Sequence, residues 1–352
     1  MSAHRILFTT NTYFQLIVAL QLKRTVFKDD AADIILTDHS DGCEEVAKRL
    51  EQTGVFRRVY FVHDTERFDD SFAAKCAQYL RARLFHKTVL REYAPLNDDY
   101  DIFLFNNLSL LTHLIALRYR KQASCYHFEE GFGTYTRPFL EKTALRARLI
   151  KLAFGDLQKR VQGVYLFHPE LFERTVPYPL LPIECICKDD GELKEILNRI
   201  FQYQPDEALA SAKYIFMEES FRAGGQDVGD VDLILHLAEL VGRENLVIKR
   251  HPRSPGDPFA KTGIAVSRAS GIPWELIQMN EDFSDKVLLT ITSGSVLAGA
   301  LYFDEPIPVR MLFGCLPGGS PVVGNSYRSY LNKLCSRYDY IRIPETLEQI
   351  VR

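Results

Sequence analysis

The sequence predicts an α/β protein built as two Rossmann-like domains facing a cleft. Three observations predict it. At 352 residues the chain is too long for one ordinary core and suits two domains of roughly 150–180 residues each. Strand-like apolar runs alternate with segments of helical spacing in both halves, the signature of βαβ units and parallel sheets. Between the two sets, HPELFERTVPYPLLPIEC (168–185) is rich in proline and lacks a helical period. The reading is an N-terminal domain over 1–170, a linker over 171–185 and a C-terminal domain over 186–352. A single multi-stranded α/β domain is the plainer alternative.

The elements follow in order. RILFTT (5–10) reads as a buried strand, and TYFQLIVALQLK (12–23) as a helix with apolar residues at helical spacing. ADIILTD (32–38) and RRVYFVHD (57–64) are further strands, with helical EEVAKRLEQTG (44–54) between them and Gly54 as its C-cap. DIFLFNN (101–107) and SCYHFEEG (124–131) continue the series. The second set runs AKYIFMEES (212–220), a helix near 229–241, NLVIKR (245–250) and a helix near 273–280. KVLLTITSGS (286–295), a helix from about 296 and PIPVRML (306–312) complete it.

Composition narrows the function. With 46% hydrophobic and 25% charged residues the chain is of the soluble globular class. A formal charge of −3 argues against nucleic acid, which needs a basic face. Seven scattered cysteines, an odd number, suggest reduced thiols and a cytoplasmic location. Cys185 and Cys187 form C-x-C without the second ligand pair of a zinc site. The opening MSAHRILFTT lacks the pattern of a signal peptide, and no run approaches the ~20 apolar residues of a membrane span.

Ligands of open parallel sheets bind beyond the carboxyl ends of the strands, so those ends carry the chemistry. They hold Thr9, Thr10, Asn11 and Thr12; Glu129, Glu130 and Gly131; Glu218, Glu219 and Ser220; Lys249, Arg250 and His251; and Thr292, Ser293, Gly294 and Ser295. A strand, a Ser-Gly-Ser turn and a helix start would aim backbone N–H groups and two hydroxyls at a phosphate, although Ser293 or Ser295 could simply cap the helix. Lys249 and His251, on what reads as a neighbouring strand, favour the phosphate. Glu129-Glu130 can present a base to a cleft or form a solvated acidic turn; the flanking aromatics suggest a half-buried setting. In GIPWELI (271–277), Pro273 fits the first helical turn. Glu275 either complements the helix dipole or accepts both ribose hydroxyls.

These motifs, in this order, resemble the bacterial sialyltransferases, whose signatures are an acidic pair before glycine, a K-x-H-P segment and a C-terminal Ser/Thr pair. They stand here as Glu129-Glu130-Gly131, Lys249-Arg250-His251-Pro252 and Ser293-Gly294-Ser295, with Pro273-Trp274-Glu275 similar to the family's ribose-binding segment. FTTNTYFQL (8–16) is similar to the opening of the lipooligosaccharide sialyltransferase group, glycosyltransferase family 52, but has Asn11-Thr12 where that group has Thr-Pro.

The resemblance implies the GT-B arrangement and an inverting, metal-independent transfer of N-acetylneuraminate from CMP-N-acetylneuraminate to a terminal galactoside of a bacterial surface glycan. The donor would lie on the C-terminal domain and the acceptor on the N-terminal one. Lys249, Pro252, Trp274, Glu275, Ser293, Gly294 and Ser295, with Thr10 and Asn11, would bind substrate. His251 would serve the phosphate as general acid or hydrogen-bond donor, and Glu129 or Glu130 would be the base, with a lean to Glu129, or else an aspartate ahead of the H-P segment, Asp227 or Asp230. No cofactor is implied, and Asp98/Asp101 and Asp227/Asp230 read as turn residues rather than metal ligands. LRARLIKLAFGDLQKRV (145–161) has the pattern of a basic amphipathic helix, which can lie on an anionic membrane or pack on its own domain. The resemblance also hints at a homodimer and a lipid-linked acceptor. Two rivals stand beside it: a hexosyltransferase of the same fold using another nucleotide sugar, and a non-catalytic subunit binding a nucleotide sugar.

Overall fold

The computed structural model describes residues 4–40, 42–64, 72–136, 150–316 and 323–351. The chain forms two units, Met1–Glu184 and Cys185–Arg352. Each is a parallel-sheet α/β domain, as the alternation of apolar runs predicts.

In the first unit β1 (Arg5–Thr10), β2 (Ala31–Thr37), β3 (Arg58–Val62), β4 (Ile102–Phe105), β5 (Ser124–Phe128), β6 (Val161–Leu166) and β7 (Leu180–Pro182) pair in the order β3-β2-β1-β4-β5-β6-β7, all parallel. Ile6, Leu7 and Phe8 of the central β1 are wholly enclosed. This continuous apolar run is what a strand covered on both faces requires. Helix Tyr13–Thr25 starts at a capping box: Thr12 accepts from the Gln15 backbone N–H, and Gln15 Oε1 accepts from the Thr12 N–H at 3.1 Å. The Thr12 that departs from the Thr-Pro pattern is therefore the cap. Helix Cys43–Glu51 ends at Gln52 rather than at Gly54, whose φ of +71° shapes the turn into β3.

Two strands of this unit escape the sequence reading. β6 carries Gly163 at its centre, where a Cβ would sit 2.9 Å from Leu181 and 3.2 Å from Tyr126. Only glycine lets its neighbours approach so closely. β7 lies within the stretch read as a linker; its Pro182 is tolerated because it is the edge strand. The helix expected over 145–161 is also corrected. Residues 145–149 lie outside the described residues, helix covers 150–154, Gly155 turns the chain at φ +84°, and Val161 already belongs to β6.

The second unit repeats the plan. β8 (Tyr214–Met217), β9 (Leu246–Lys249), β10 (Ala265–Val266), β11 (Val287–Thr290), β12 (Val309–Met311) and β13 (Ile341–Arg342) pair as β10-β9-β8-β11-β12-β13, again all parallel. Helices Asp230–Val241 and Trp274–Asn280 fall where expected. The helix expected from 296 is instead a 3-10 turn, Gly294–Leu297, followed by a π turn, Gly299–Phe303. At Gly299 a Cβ would come within 3.0 Å of the Glu305 carbonyl and of Gln278. Regular helix is given up there for close packing. Among the described residues no helix is long and apolar enough to cross a membrane.

Candidate functional site

Strand order reverses between β8 and β11 in the second unit, which is where open α/β sheets leave a crevice at their carboxyl ends. Glu218 and Glu219 leave β8 at that point. Their side chains go opposite ways, as successive residues of an extended chain must. Glu218 accepts from the backbone N–H of His251 at 3.0 Å and is paired with Arg222, which also reaches Asp230 at 3.1 Å. Arg250 Nε lies 3.5 Å away. Glu219 Oε1 accepts from the Thr290 hydroxyl at 2.9 Å, the Thr292 hydroxyl at 3.2 Å and the Thr292 backbone N–H. Tyr327 steadies the same turn by donating to the Thr292 carbonyl at 2.5 Å. One acidic pair thus fixes the loop after β9 on one side and the loop after β11 on the other.

This corrects the expected adjacency of the two cation- and serine-bearing strands. β9 and β11 are not neighbours: β8 lies between them, so they are about 10 Å apart. The sequence names Glu218 and Glu219 as a strand end, but strand order alone reveals what they join.

His251 opens a four-residue turn in which Ser254 N–H donates to the His251 carbonyl at 2.9 Å, with Pro252 exposed at the second position. Arg253 N–H donates to His251 Nδ1 at 3.1 Å. Since Nδ1 accepts, the neutral ring carries its proton on Nε2 and offers that as a donor. Burial, with Arg253 and Lys249 close by, pulls the histidine down to about 4, so it is neutral near pH 7. Lys249 is buried; that burial lowers it to about 8 against the opposing pull of Glu275 and Asp206. Glu275 is buried too and is pushed up to about 7 by burial, with Lys249 acting against the rise. Lys249 and Glu275 are thus within electrostatic reach of each other. A cavity of about 750 Å³ in the same unit is lined by Gln202, Gln204, Asp206, Val266, Arg268 and Ile272, and by neither Lys249 nor Glu275.

Ser293 and Ser295 share a hydroxyl–hydroxyl hydrogen bond of 2.8 Å, and Ser293 also caps the short 3-10 turn through Ser295 N–H, with Gly294 between them half-buried. The capping alternative is thus realised, with both serines half-buried. Trp274 is a core residue: it is buried, and its ring centroid lies 4.8 Å from that of Phe283. Asp227 is exposed and accepts from Gly229 N–H at 3.0 Å, as a turn residue does. Its neighbour Asp230 is the buried partner of Arg222. Asp98 pairs with Arg57 and Arg58, and Asp101 accepts from Arg5 N–H. Among the described residues no group of three His, Cys, Asp or Glu is placed to hold a metal.

In the first unit the order reverses between β1 and β4. Thr10 there is buried and donates to the Ile35 carbonyl at 3.3 Å; Asn11 is half-buried, its N–H held by Gln15 at 2.7 Å. Asn106 and Asn107, at the end of β4, share this edge and were not singled out in the sequence. Their signal was the same strand-end rule. Glu129 is wholly enclosed and accepts from Tyr135 Oη at 2.6 Å and Phe167 N–H at 3.0 Å. The half-buried setting foreseen for the pair holds for Glu130, the partly exposed member, and the lean to Glu129 as the cleft-facing residue is corrected. Gly131 has φ +117°, and a Cβ there would sit 3.5 Å from Phe14 at the start of helix Tyr13–Thr25. The glycine is required by the backbone, since the contact with Phe14 is an ordinary one.

The sequence matches the model of the family described as alpha-2,8-polysialyltransferase over residues 6–305. No curated protein matches it significantly in sequence. Similar solved structures include the glycotransferase of kitacinnamycin (12% identity, 99% of this chain and 89% of that one, TM-score 0.56). The apo UGT2 of Phytolacca americana (12%, 99% and 90%, TM-score 0.53) and a UDP-glucosyltransferase from Polygonum tinctorium (10%, 97% and 85%, TM-score 0.53) are similar in the same way. At such identities the likeness is one of fold, the GT-B fold of two parallel-sheet domains.

Proposed function

This chain belongs to the alpha-2,8-polysialyltransferase family, and on that premise we propose that it transfers N-acetylneuraminate from CMP-N-acetylneuraminate to the terminal sugar of a bacterial surface glycan. The family's description favours a terminal sialic acid as acceptor. The resemblance of FTTNTYFQL to the lipooligosaccharide group supports the second reading, a terminal galactoside of lipooligosaccharide or capsule.

One observation carries the donor assignment: Glu218 and Glu219 align the His251 turn and the Thr292–Ser295 turn at one crossover. In this reading the phosphate of CMP receives the His251 Nε2–H and the Ser293 and Ser295 hydroxyls, and Lys249 supplies positive charge from behind. As the glycosidic bond breaks, negative charge grows on that phosphate, and donors fixed in place stabilise it without reorganising. His251, neutral with its proton on Nε2, holds the departing phosphate by a hydrogen bond rather than giving that proton up. Glu130 takes the proton of the acceptor hydroxyl attacking the anomeric carbon from the opposite face. Attack from that face inverts configuration and gives an α-sialoside. One phosphate needs no divalent ion beyond these groups.

Calorimetric titration with CMP, UDP and GDP, without added metal, tests the donor class. Selective CMP binding weakened about 10- to 100-fold in His251→Ala, the range for a charge-assisted hydrogen bond, is expected. Preference for UDP or GDP, or binding only with a divalent ion, would overturn it. A panel of sialoside and galactoside acceptors separates the two acceptor readings.

A further inference from the structure

We propose that the first unit docks on an anionic lipid bilayer through the helical layer formed by helices Phe72–Leu84 and His86–Tyr93 and residues 150–154. Among the described residues the four most exposed large apolar side chains all lie there: Leu80 at 60%, Leu84 at 64%, Phe85 at 60% and Leu152 at 83%. Leu80 and Leu84 are one helical turn apart and share a face. The two stretches meet through Tyr79 and Phe154, whose ring centroids are 6.1 Å apart, edge to face. Residues 150–154, which carry Leu152, therefore pack beside helix Phe72–Leu84.

Charge identifies the occupant. From Ser71 to Arg91 the sequence has no acidic residue but five lysines and arginines. Arg81 is paired with Glu92 at 2.6 Å and Lys151 with Asp156 at 3.2 Å. Arg83, Lys87 and Arg91 are exposed and have no acidic partner among the described residues. The pentapeptide LRARL occurs at 80–84 and again at 145–149, directly before 150–154. A chain with a net charge of −3 has thus gathered cations around its most exposed apolar side chains. A protein partner's apolar groove would satisfy the leucines but leave these cations without counter-charges. An acidic headgroup layer over an acyl interior satisfies both. The proposal is independent of which nucleotide sugar the second unit takes.

Vesicle cosedimentation tests it, with phosphatidylcholine–phosphatidylglycerol vesicles against pure phosphatidylcholine. The full chain is expected to sediment with the anionic vesicles only, and less as salt rises. Arg83→Glu with Lys87→Glu should weaken binding at least about 25-fold, since each cation near an anionic surface contributes about fivefold. Leu84→Ser with Phe85→Ser should weaken it by about tenfold or more. These side chains are exposed, so thermal unfolding of both variants should match the parent. Equal binding to neutral vesicles, or unchanged binding of the charge-reversed variant, overturns the proposal. So does a concentration-dependent dimer in sedimentation velocity that Leu84→Ser with Phe85→Ser dissolves while vesicle binding persists, which would assign the face to a second copy of the chain.

Discussion

Glu218 and Glu219 look alike in the sequence yet sit in opposite electrostatic situations. Glu218 is buried among Arg222 and Arg250, so Glu218→Gln takes the carboxylate from Arg250 and leaves Arg222 with Asp230 alone, and should cost about 3–5 kcal/mol in urea unfolding. Glu219 has hydroxyl and N–H donors but no cation in contact among the described residues, and its burial pushes it up to about 7. A carboxyl raised in the folded state stabilises fully below its unfolded value near 4.5. That contribution is lost as pH rises through 7. The stability of the parent should therefore fall relative to Glu219→Gln between about pH 4.5 and pH 7, by about 3 kcal/mol, and run parallel to it above pH 7. His251 behaves in the opposite sense: held down to about 4, it destabilises the fold as pH drops below about 6.5. Urea midpoints of His251→Gln should be flatter than the parent's between those values.

At the level of elements, glycine positions decide what a substitution does. Gly131→Ala places a Cβ at φ +117° and against Phe14, and should cost about 1–3 kcal/mol in thermal or urea unfolding while loosening the loop after Glu130. Thr12→Ala removes half of the capping box and should cost about 1 kcal/mol. The central strands were legible because strands covered on both faces are unbroken apolar runs, as IleLeuPhe of β1 and LeuValIle of β9 are. β6 was not, since Gly163 interrupts the run for the sake of its neighbours, and β7, β10 and β13 are two or three residues long at or near sheet edges. The segment after Ser295 was misread as helix: its apolar residues fit a helical period, but the backbone at Gly299 answers to Gln278 and Glu305, which are remote in sequence. For the site, the residues at strand ends could be named from sequence. Their partners could not, because Glu219 meets Thr292 only through the order of the strands.

On the scale of the molecule, two units with separate sheets divide the proposed labour. Every residue assigned to the phosphate lies between Glu218 and Tyr327, within Cys185–Arg352. That unit has its own core and capped helices, so a fragment over 185–352 should fold and bind CMP with affinity of the same order as the full chain. Circular dichroism and calorimetric titration check both. Loss of binding in a folded fragment would place part of the nucleotide site on the first unit.

The carboxyl group of Glu219 has one more effect. It is poised near neutrality directly behind the turn assigned to the phosphate. An incoming dianion repels the ionised form, so the group recruits a proton from solvent as the nucleotide arrives. Donor capture then consumes hydrogen ions: the measured heat depends on the ionisation enthalpy of the buffer, and affinity declines as the solution turns alkaline through pH 7. A buried side chain that never touches the substrate would in this way tie the enzyme's grip on its donor to the acidity around it.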